Sequence, residues 1–311
     1  MINNYLQDVE NAFENRDLSA LNALAVPSFR IINKSKGFSS VLMLSCNNIK
    51  HLSKINSLDA DCIILNLEDA VSKQDKPFAL VLCAIFLSLN KQSSKKLVVR
   101  VNALDEGGYE EIVYLNQFMP DAIRVPKIKT QEEVKQVFAL INDECELHLS
   151  IETKEAWYNL SQLKVHKRVT TFYLGVLDLF ADMGLNHSLI NKNNPTMLYI
   201  LSHFLISCRS MDVKAVSFVY QKFKNLEIFS EWISLEKSMG YDCKACISPK
   251  QVELVNKIFE NQEDLITRAK TIVKLFEMHE SQGITGFVDD EYGFIDEPVY
   301  KGALVLLETK S

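Results

Sequence analysis

The sequence predicts an α/β fold: a (β/α)8 barrel with an N-terminal helical extension and a C-terminal arm. Short apolar runs bounded by polar residues alternate with segments whose apolar residues recur at helical spacing. Such runs are typical of buried parallel strands, which are apolar on both faces. Eight runs occur without a change in composition between them, which favours one barrel over two domains. The chain of 311 residues is long enough to bury the core of such a barrel.

We assign residues 1–39 to the extension, 40–282 to the barrel and 283–311 to the arm. In the extension, apolar residues at helical spacing over Asn3–Ala25 predict one or two helices. In the arm, few helix signals precede Val299–Thr309, so an ordered loop or an extended segment is expected before that helix.

The barrel is predicted to begin after a polar connection at Arg30–Ser39. Its strands are predicted at Val41–Ser45, Cys62–Leu67, Lys96–Asn102, Ala122–Pro126, Leu147–Ile151, Thr171–Val176, Ala215–Tyr220 and Lys244–Ile247. Its helices are predicted at Asn48–Ser57, Lys76–Leu89, Glu110–Phe118, Gln131–Asn142, Lys154–Val165, Pro195–Arg209, Leu226–Met239, Pro249–Asn261 and Asp264–Ser281. Helices of this length between strands suit the right-handed crossovers of a parallel sheet.

The charge balance and the apolar stretches exclude several classes of protein. With 34 basic and 40 acidic residues the net charge is −6, and the absence of a basic block argues against nucleic-acid binding. The longest apolar stretch, Phe78–Leu89, is too short to span a bilayer. Because the N-terminus lacks a signal-peptide pattern, we expect a cytoplasmic protein without a membrane partner. Cys243 and Cys246 form a C-x-x-C motif without a second pair, so core thiols are expected there rather than a zinc or redox site.

Polar residues stand at the C-terminal ends of the predicted strands, which share one face of a barrel, where ligands bind. They are Glu68, Asp69, Arg100, Lys127, Glu152 and Asp178. The carboxylates of Glu152 and Asp178 are a candidate Mg²⁺ site, because Mg²⁺ commonly takes one or two carboxylates and completes its shell with water or substrate oxygens. The planar guanidinium of Arg100 suits a substrate carboxylate.

Each of these assignments has a structural alternative. Glu152 and Asp178 are also of the residue type that caps helices. Arg100 also suits a structural salt bridge. Lys127 is a candidate for a Schiff base, although the pair of acids favours a metal mechanism.

Seven motifs between residues 40 and 307 together resemble one known family. In chain order they are NLEDAV at Asn66–Val71, VRVN at Val99–Asn102, RVPK at Arg124–Lys127, IET at Ile151–Thr153, LGVLDLFADMG at Leu174–Gly184, MGYDCKACISPKQVELVN at Met239–Asn256 and GFIDEPV at Gly293–Val299. This pattern resembles the citrate lyase beta subunit and its relatives, the citramalyl-CoA and malyl-CoA lyases.

The resemblance implies a TIM barrel that assembles as a homotrimer and uses Mg²⁺. It implies that Glu152 and Asp178 bind the metal, that Arg100 grips a substrate carboxylate, and that Glu68 and Asp69 support the metal's water shell. It also implies that Asp296 reaches a neighbouring subunit's active site as an acid/base group.

The implied reaction is a carbon–carbon lyase reaction. A citryl-, citramalyl- or malyl-like thioester is cleaved into a 2-oxo acid and an acetyl thioester, carried on CoA or on an acyl carrier protein. Asn66, Leu80, Cys243 and Ser248 replace the usual Asp, Arg, Gly and His, mostly around the thioester end of the site. The sequence therefore leaves four points open: the acyl group, the carrier, whether the protein acts alone or in a complex, and whether it retains catalysis. The alternatives are a non-catalytic protein that binds a 2-oxo acid and an aldolase acting on a free acid.

Overall fold

The computed structural model describes residues 2–27, 37–260 and 263–308. The predicted connection at Arg30–Ser39 and the predicted helix ends at Asn261 and Thr309 fall wholly or partly outside these ranges. The chain divides into two compact units, Met1–Asn256 and Lys257–Ser311. No helix in the described ranges combines the length and the hydropathy needed to cross a membrane.

The first unit begins with two helices, α1 at Ile2–Glu14 and α2 at Leu18–Leu24, as predicted for the extension. The side chain of Asp17 caps α2 by accepting a hydrogen bond from the backbone N–H of Ala20. The buried side chain of Leu21 anchors α2.

Eight parallel strands follow and form one sheet. They are β1 at Ser40–Ser45, β2 at Cys62–Asn66, β3 at Lys96–Arg100, β4 at Ala122–Val125, β5 at Glu146–Ile151, β6 at Val169–Leu174, β7 at Lys214–Val216 and β8 at Lys244–Cys246. Strands β1 to β7 pair in chain order, and β8 pairs with β1. A single bridge between Ser217 and Lys244 joins the edge at β7 to β8. The sheet is therefore a nearly closed barrel, and the predicted fold class is confirmed.

Helices follow the strands in the alternating order that the sequence predicts. They are α3 at Ile49–Leu52, α4 at Lys76–Leu89, α5 at Gly108–Leu115, α6 at Gln131–Leu140, α7 at Lys154–Tyr158, α8 at Val176–Asp182, α9 at Pro195–Ser210, α10 at Leu226–Met239 and α11 at Pro249–Glu260. The predicted bounds of α4 and α10 are met to the residue. The helix predicted at Lys154–Val165 ends at Tyr158 and continues as a short 3-10 turn.

The sequence predicts that β5 is apolar on both faces, and the structure differs from this prediction. Its residues Glu146, His148 and Ser150 alternate with apolar ones, and Lys96 Nζ on β3 reaches across β4 to Glu146 Oε1 at 2.7 Å. The polar face of β5 therefore points into the barrel, where His148 and Ser150 are fully buried. An alternating strand is tolerated because these groups bond to each other and to neighbouring strands.

A buried ion pair lies at the seam where the barrel closes. Lys244 Nζ lies 2.6 Å from Glu236 Oε1, and both side chains are 0% exposed. The hydroxyl of Ser217 donates to the same Glu236 oxygen at 2.6 Å. Burial raises the pKa of Glu236 and lowers the pKa of Lys244, while their attraction opposes both shifts. Together with Ser217, the pair links α10 to the two strand ends that the bridge between Ser217 and Lys244 joins.

The second unit contains α12 at Glu263–Glu280, β9 at Gly286–Asp289, β10 at Gly293–Asp296 and α13 at Glu297–Glu308. The two strands form an antiparallel hairpin where the sequence predicts a loop or an extended segment. Its core is formed by residues of both helices and of β10: Ala269, Ile272, Phe276, Ile295 and Ala303. Because α12 packs within this core, it belongs to the compact unit that begins at Lys257.

We predict that Lys244→Met destabilises the chain by about 3–5 kcal/mol, because it leaves the Glu236 carboxylate buried without a counter-charge. Unfolding in urea measures the change. The double variant Lys244→Met/Glu236→Leu should recover most of the loss, since no charge is then buried alone. If Lys244→Met were as stable as the unmodified chain, the seam would not depend on the ion pair.

Candidate active site

A cavity of about 380 Å³ opens at the C-terminal ends of the barrel strands. Among the side chains that line it, six come from β2, β3, β4 and the segments that follow β2, β5 and β6: Asn66, Asp69, Arg100, Arg124, Glu152 and Asp178. The structure therefore brings together four of the residues predicted from the strand ends, together with two that were not predicted to bind a ligand.

Arg100, at the end of β3, is the centre of this group. Its guanidinium forms a close ion pair with Glu68 and lies 3.5 Å from an Asp69 oxygen and 3.8 Å from Glu152 Oε2. The side chain is buried, and its Nε has no hydrogen-bond partner among the described residues. The salt-bridge alternative for Arg100 is thus realised, while its Nε–H stays available for a ligand.

Glu68 has an unusual acidity for a carboxyl group. It is 3% exposed, and burial raises its pKa to about 7 although Arg100 opposes the shift. The nearby carboxylates of Glu152 and Asp69 raise the pKa further. A carboxyl group that titrates near neutral pH can both accept and return a proton.

Glu152 follows β5 directly and is fixed from two sides. Its Oε1 accepts a hydrogen bond of 2.9 Å from the backbone N–H of Lys127, whose φ of 53° lies in the left-handed region that a lysine seldom adopts. A Cβ on Gly175 would lie 2.5 Å from Glu152 Oε2, so only glycine fits there. Thr153, not Glu152, caps α7, by accepting from Ala156 N–H. The capping alternative is therefore wrong for Glu152.

The sequence predicted Asp178 at the end of a strand, but the structure places it elsewhere. Strand β6 ends at Leu174, and Val176 begins α8, so Asp178 is in the first turn of that helix and is exposed. The N-cap of α8 is Gly175, so Asp178 does not cap the helix, although an acid in the first turn is favoured by the helix dipole. Glu152 and Asp178 nevertheless line the same cavity.

The donor set suits Mg²⁺. In the described part of the chain, no group of three or more His, Cys, Asp or Glu side chains is arranged to hold a metal ion. Glu152 and Asp178 both offer carboxylate oxygens, and both also border a second cavity of about 590 Å³. Two carboxylates with open space on both sides match the way Mg²⁺ is held when water or substrate completes its shell.

Lys127 is poorly suited to form a Schiff base. Its Nζ lies 3.9 Å from Glu68 Oε1, and the side chain is 43% exposed. Although burial lowers its pKa, the carboxylates of Glu68, Glu106 and Asp69 raise it above the ordinary value. The amine is therefore held in its protonated form, which is not nucleophilic.

Asp296 ends β10 in the second unit. Its Oδ1 accepts a hydrogen bond of 3.2 Å from the backbone N–H of Val299, in the first turn of α13. The predicted role of Asp296 in a neighbouring subunit stays a prediction.

The departures from the family motifs have local structural roles. Asn66 donates a side-chain hydrogen bond to the carbonyl of Asp69, while its Oδ1 has no partner among the described residues. The hydroxyl of Ser248 accepts from Gln251 N–H in the first turn of α11. Cys243 is fully buried, and burial raises its pKa, as expected of a core thiol.

Arg124 was not predicted to have a functional role. It lies on β4 at the position paired with Arg100 on β3, and its side chain lines the cavity. A charged residue within the apolar run of a predicted strand was the signal available in the sequence.

Comparisons with known proteins agree with the predicted resemblance. The sequence profile of the HpcH/HpaI aldolase/citrate lyase family matches residues 39–249. A (3S)-malyl-CoA thioesterase of Cereibacter sphaeroides is 30% identical over 247 residues, 79% of this chain and 85% of that protein. The citrate lyase subunit beta of Leuconostoc mesenteroides is 26% identical over 272 residues, 84% and 89% of the two chains. The fold is similar to that of Mycobacterium tuberculosis CitE in complex with magnesium, acetoacetate and coenzyme A (TM-score 0.69, 19% identity, 87% of this chain and 97% of that one).

We predict that Gly175→Ala displaces the Glu152 side chain, because the added methyl group would overlap Glu152 Oε2 and Cβ. The cost of this overpacking should be about 1–3 kcal/mol in urea unfolding. Gly302→Ala is the control. Gly302 lies on helix α13, and a Cβ added there meets nothing within 4 Å. Equal stability of the two variants would contradict the close packing of Gly175 on Glu152.

Proposed function

Because the chain belongs to the HpcH/HpaI aldolase/citrate lyase family, we propose that it is a Mg²⁺-dependent carbon–carbon lyase. Its substrate would be a β-hydroxyacyl thioester, and its products a 2-oxo acid and an acetyl thioester. The observation that carries this proposal is that Arg100, Glu152 and Asp178 line one cavity, while Arg100 is paired with the buried carboxylate of Glu68 behind them.

Arg100 would bind the carboxylate next to the hydroxyl-bearing carbon. Its unpartnered Nε is a donor that faces no protein acceptor in the described part of the chain, and its pairing with Glu68 fixes the plane of the guanidinium. A fixed planar fork binds a carboxylate with little loss of side-chain entropy.

Glu152 and Asp178 would hold Mg²⁺, which when bound would polarise the substrate oxygen that becomes the ketone of the 2-oxo acid. Glu68 would take the proton of the substrate hydroxyl on Oε1, which is buried and has no hydrogen-bond partner among the described residues. The electrons of the O–H bond then form the ketone, and those of the broken C–C bond pass to the thioester as an enolate. Protonation of the enolate carbon completes the acetyl thioester.

For that protonation we propose Asp296 of a neighbouring subunit in a homotrimer. Within its own unit Asp296 stands at the junction of β10 and α13, two residues after Phe294, whose side chain is 60% exposed. An exposed aromatic side chain beside an acid suits docking against another surface.

A second candidate function is hydrolysis of the thioester. The relative from Cereibacter sphaeroides, which is 30% identical, is named a thioesterase. Hydrolysis would release a hydroxy acid and a free thiol, whereas cleavage of the carbon–carbon bond leaves the thioester intact. The products therefore separate the two reactions without any assumption about the carrier.

We predict that the protein, supplied with Mg²⁺ and a panel of malyl, citramalyl and citryl thioesters on CoA and on an acyl carrier protein, releases a 2-oxo acid. Glu152→Gln should lower the rate roughly 100-fold or more, because one anionic metal ligand is lost.

Arg100→Lys should keep the fold and weaken 2-oxo acid binding by about 1–3 kcal/mol, because lysine lacks the bidentate fork.

Calorimetry of 2-oxo acid binding and chromatography of the products are the two readouts. Release of free thiol without a 2-oxo acid would replace the lyase by a thioesterase. Binding of a 2-oxo acid without turnover of any thioester would indicate a non-catalytic member of the family. Unchanged affinity in Arg100→Lys would show that Arg100 does not touch the substrate.

We predict that Asp296→Asn abolishes turnover but preserves the fold, since asparagine keeps the oxygen that accepts from Val299 N–H. Mixing Asp296→Asn with Glu152→Gln subunits should then restore activity in about one quarter of the sites, because that fraction pairs two intact halves in a random cyclic trimer. No recovery after confirmed subunit exchange would place Asp296 in the site of its own chain.

A further inference from the structure

Arg124 is a buried cation without a protein counter-ion. Its side chain is 5% exposed, and no ion pair to it is present among the described residues. Its Nε donates to the hydroxyl of Ser150 at 2.9 Å, and its guanidinium lies 4.0 Å from the centroid of the Tyr173 ring. Its Nη1 has no hydrogen-bond partner within the described ranges.

Such an arrangement is costly in the absence of an anion. A buried charge needs a partner of opposite sign and satisfied hydrogen bonds, and an aromatic ring with one hydroxyl supplies only part of this. Burial and the neighbouring Arg100 lower the pKa of Arg124 to about 10, which still leaves it protonated at neutral pH. The two carboxylates whose charges act on Arg124, Glu152 and Glu68, are already paired with Arg100.

The position of Arg124 relative to Arg100 indicates what the anion is. The two residues are Cα partners on adjacent parallel strands, and both side chains line the same cavity. Arg100 is surrounded by Glu68, Asp69 and Glu152, whereas Arg124 faces the cavity without a carboxylate of its own. If Arg100 binds the carboxylate next to the ketone, as the proposed reaction requires, Arg124 is left to bind a further anionic group of the same ligand.

We propose that Arg124 is the specificity-determining residue of the site and binds a second carboxylate of the substrate, so that the site selects a 2-oxo acid with two carboxylates. This inference rests on the proposed lyase function. Arg100 takes the carboxylate next to the ketone, and Arg124 takes the carboxylate at the other end of the same acid. The thioester that is cleaved then carries two free carboxylates rather than one.

The barrel interior holds Arg124 ready for this contact. The hydroxyl of Tyr173, whose ring lies under the guanidinium, is 3.2 Å from His148 Nδ1. His148 Nε2 is 3.3 Å from Glu146, which also pairs with Lys96. Burial lowers the pKa of His148 to about 4, so the ring is neutral and adds no second charge below Arg124. A guanidinium fixed in this way loses little entropy when an anion binds.

The test is a comparison of two 2-oxo acids by titration calorimetry in the presence of Mg²⁺. Freshly dissolved oxaloacetate carries two carboxylates, and pyruvate carries one. The unmodified protein should bind oxaloacetate about 10- to 100-fold more tightly, the range expected for one charge-assisted contact. Arg124→Met, which keeps much of the side-chain volume, should bind both acids equally while keeping the affinity for pyruvate.

Arg168→Met is the matched control. Arg168 also stacks on an aromatic ring, 4.2 Å from the Phe138 centroid, and does not line the cavity, so its loss should leave the ratio of the two affinities unchanged. Arg124→Lys keeps the charge but not the fork, and should retain part of the preference.

An unmodified protein without a preference for oxaloacetate would overturn the inference, even if Arg124→Met failed to fold. So would an Arg124→Met variant in which both affinities fall together or neither changes, because Arg124 would then support the barrel only. Failure of the proposed function gives a different result, namely an unmodified protein that binds neither acid and cleaves no thioester.

Discussion

The barrel depends on its closure between β7 and β8, where one backbone bridge is supplemented by side chains. Strands β7 and β8 each pair with their other neighbour over three residues, whereas in the described part of the chain the bridge between Ser217 and Lys244 joins them to each other. The ion pair of Lys244 with Glu236 and the hydroxyl of Ser217 bind the two strand ends to α10 instead. Closure of the barrel keeps the C-terminal ends of the strands around one opening, so side chains from β2 to β6 can converge on one cavity.

The order of elements could be predicted from the sequence because buried strands and amphipathic helices have different periods. The bounds of α4 and α10 are met because α4 has a proline in its first turn and α10 is followed by Gly240, whose φ of 103° stops a helix. The hairpin of β9 and β10 was missed. Its turn is fixed by Asp289, which accepts hydrogen bonds from Glu291 and Tyr292 N–H, a local bond that residue types alone do not reveal.

The candidate site was predictable where a functional residue follows its strand directly, as Arg100 and Glu152 do. Asp178 was assigned to a strand end because LGV continues the apolar run, although Gly175 interrupts the strand and starts the helix. Arg124 was missed because its role follows from which face of β4 is inward and from partners on β5 and β6. Periodicity in a strand of four residues cannot supply that information.

All seven cysteines are free thiols, and all are buried within the first unit. Burial raises the pKa of several of them, such as Cys62 and Cys145, so their reactive thiolate forms only when the surrounding structure opens. The rate of alkylation of these thiols therefore reports how often the barrel opens. The second unit contributes nothing to this rate, because all seven cysteines lie in the first unit. A single cysteine introduced into the second unit would be the one accessible point for attaching a dye or a crosslinker, without removal of any native thiol.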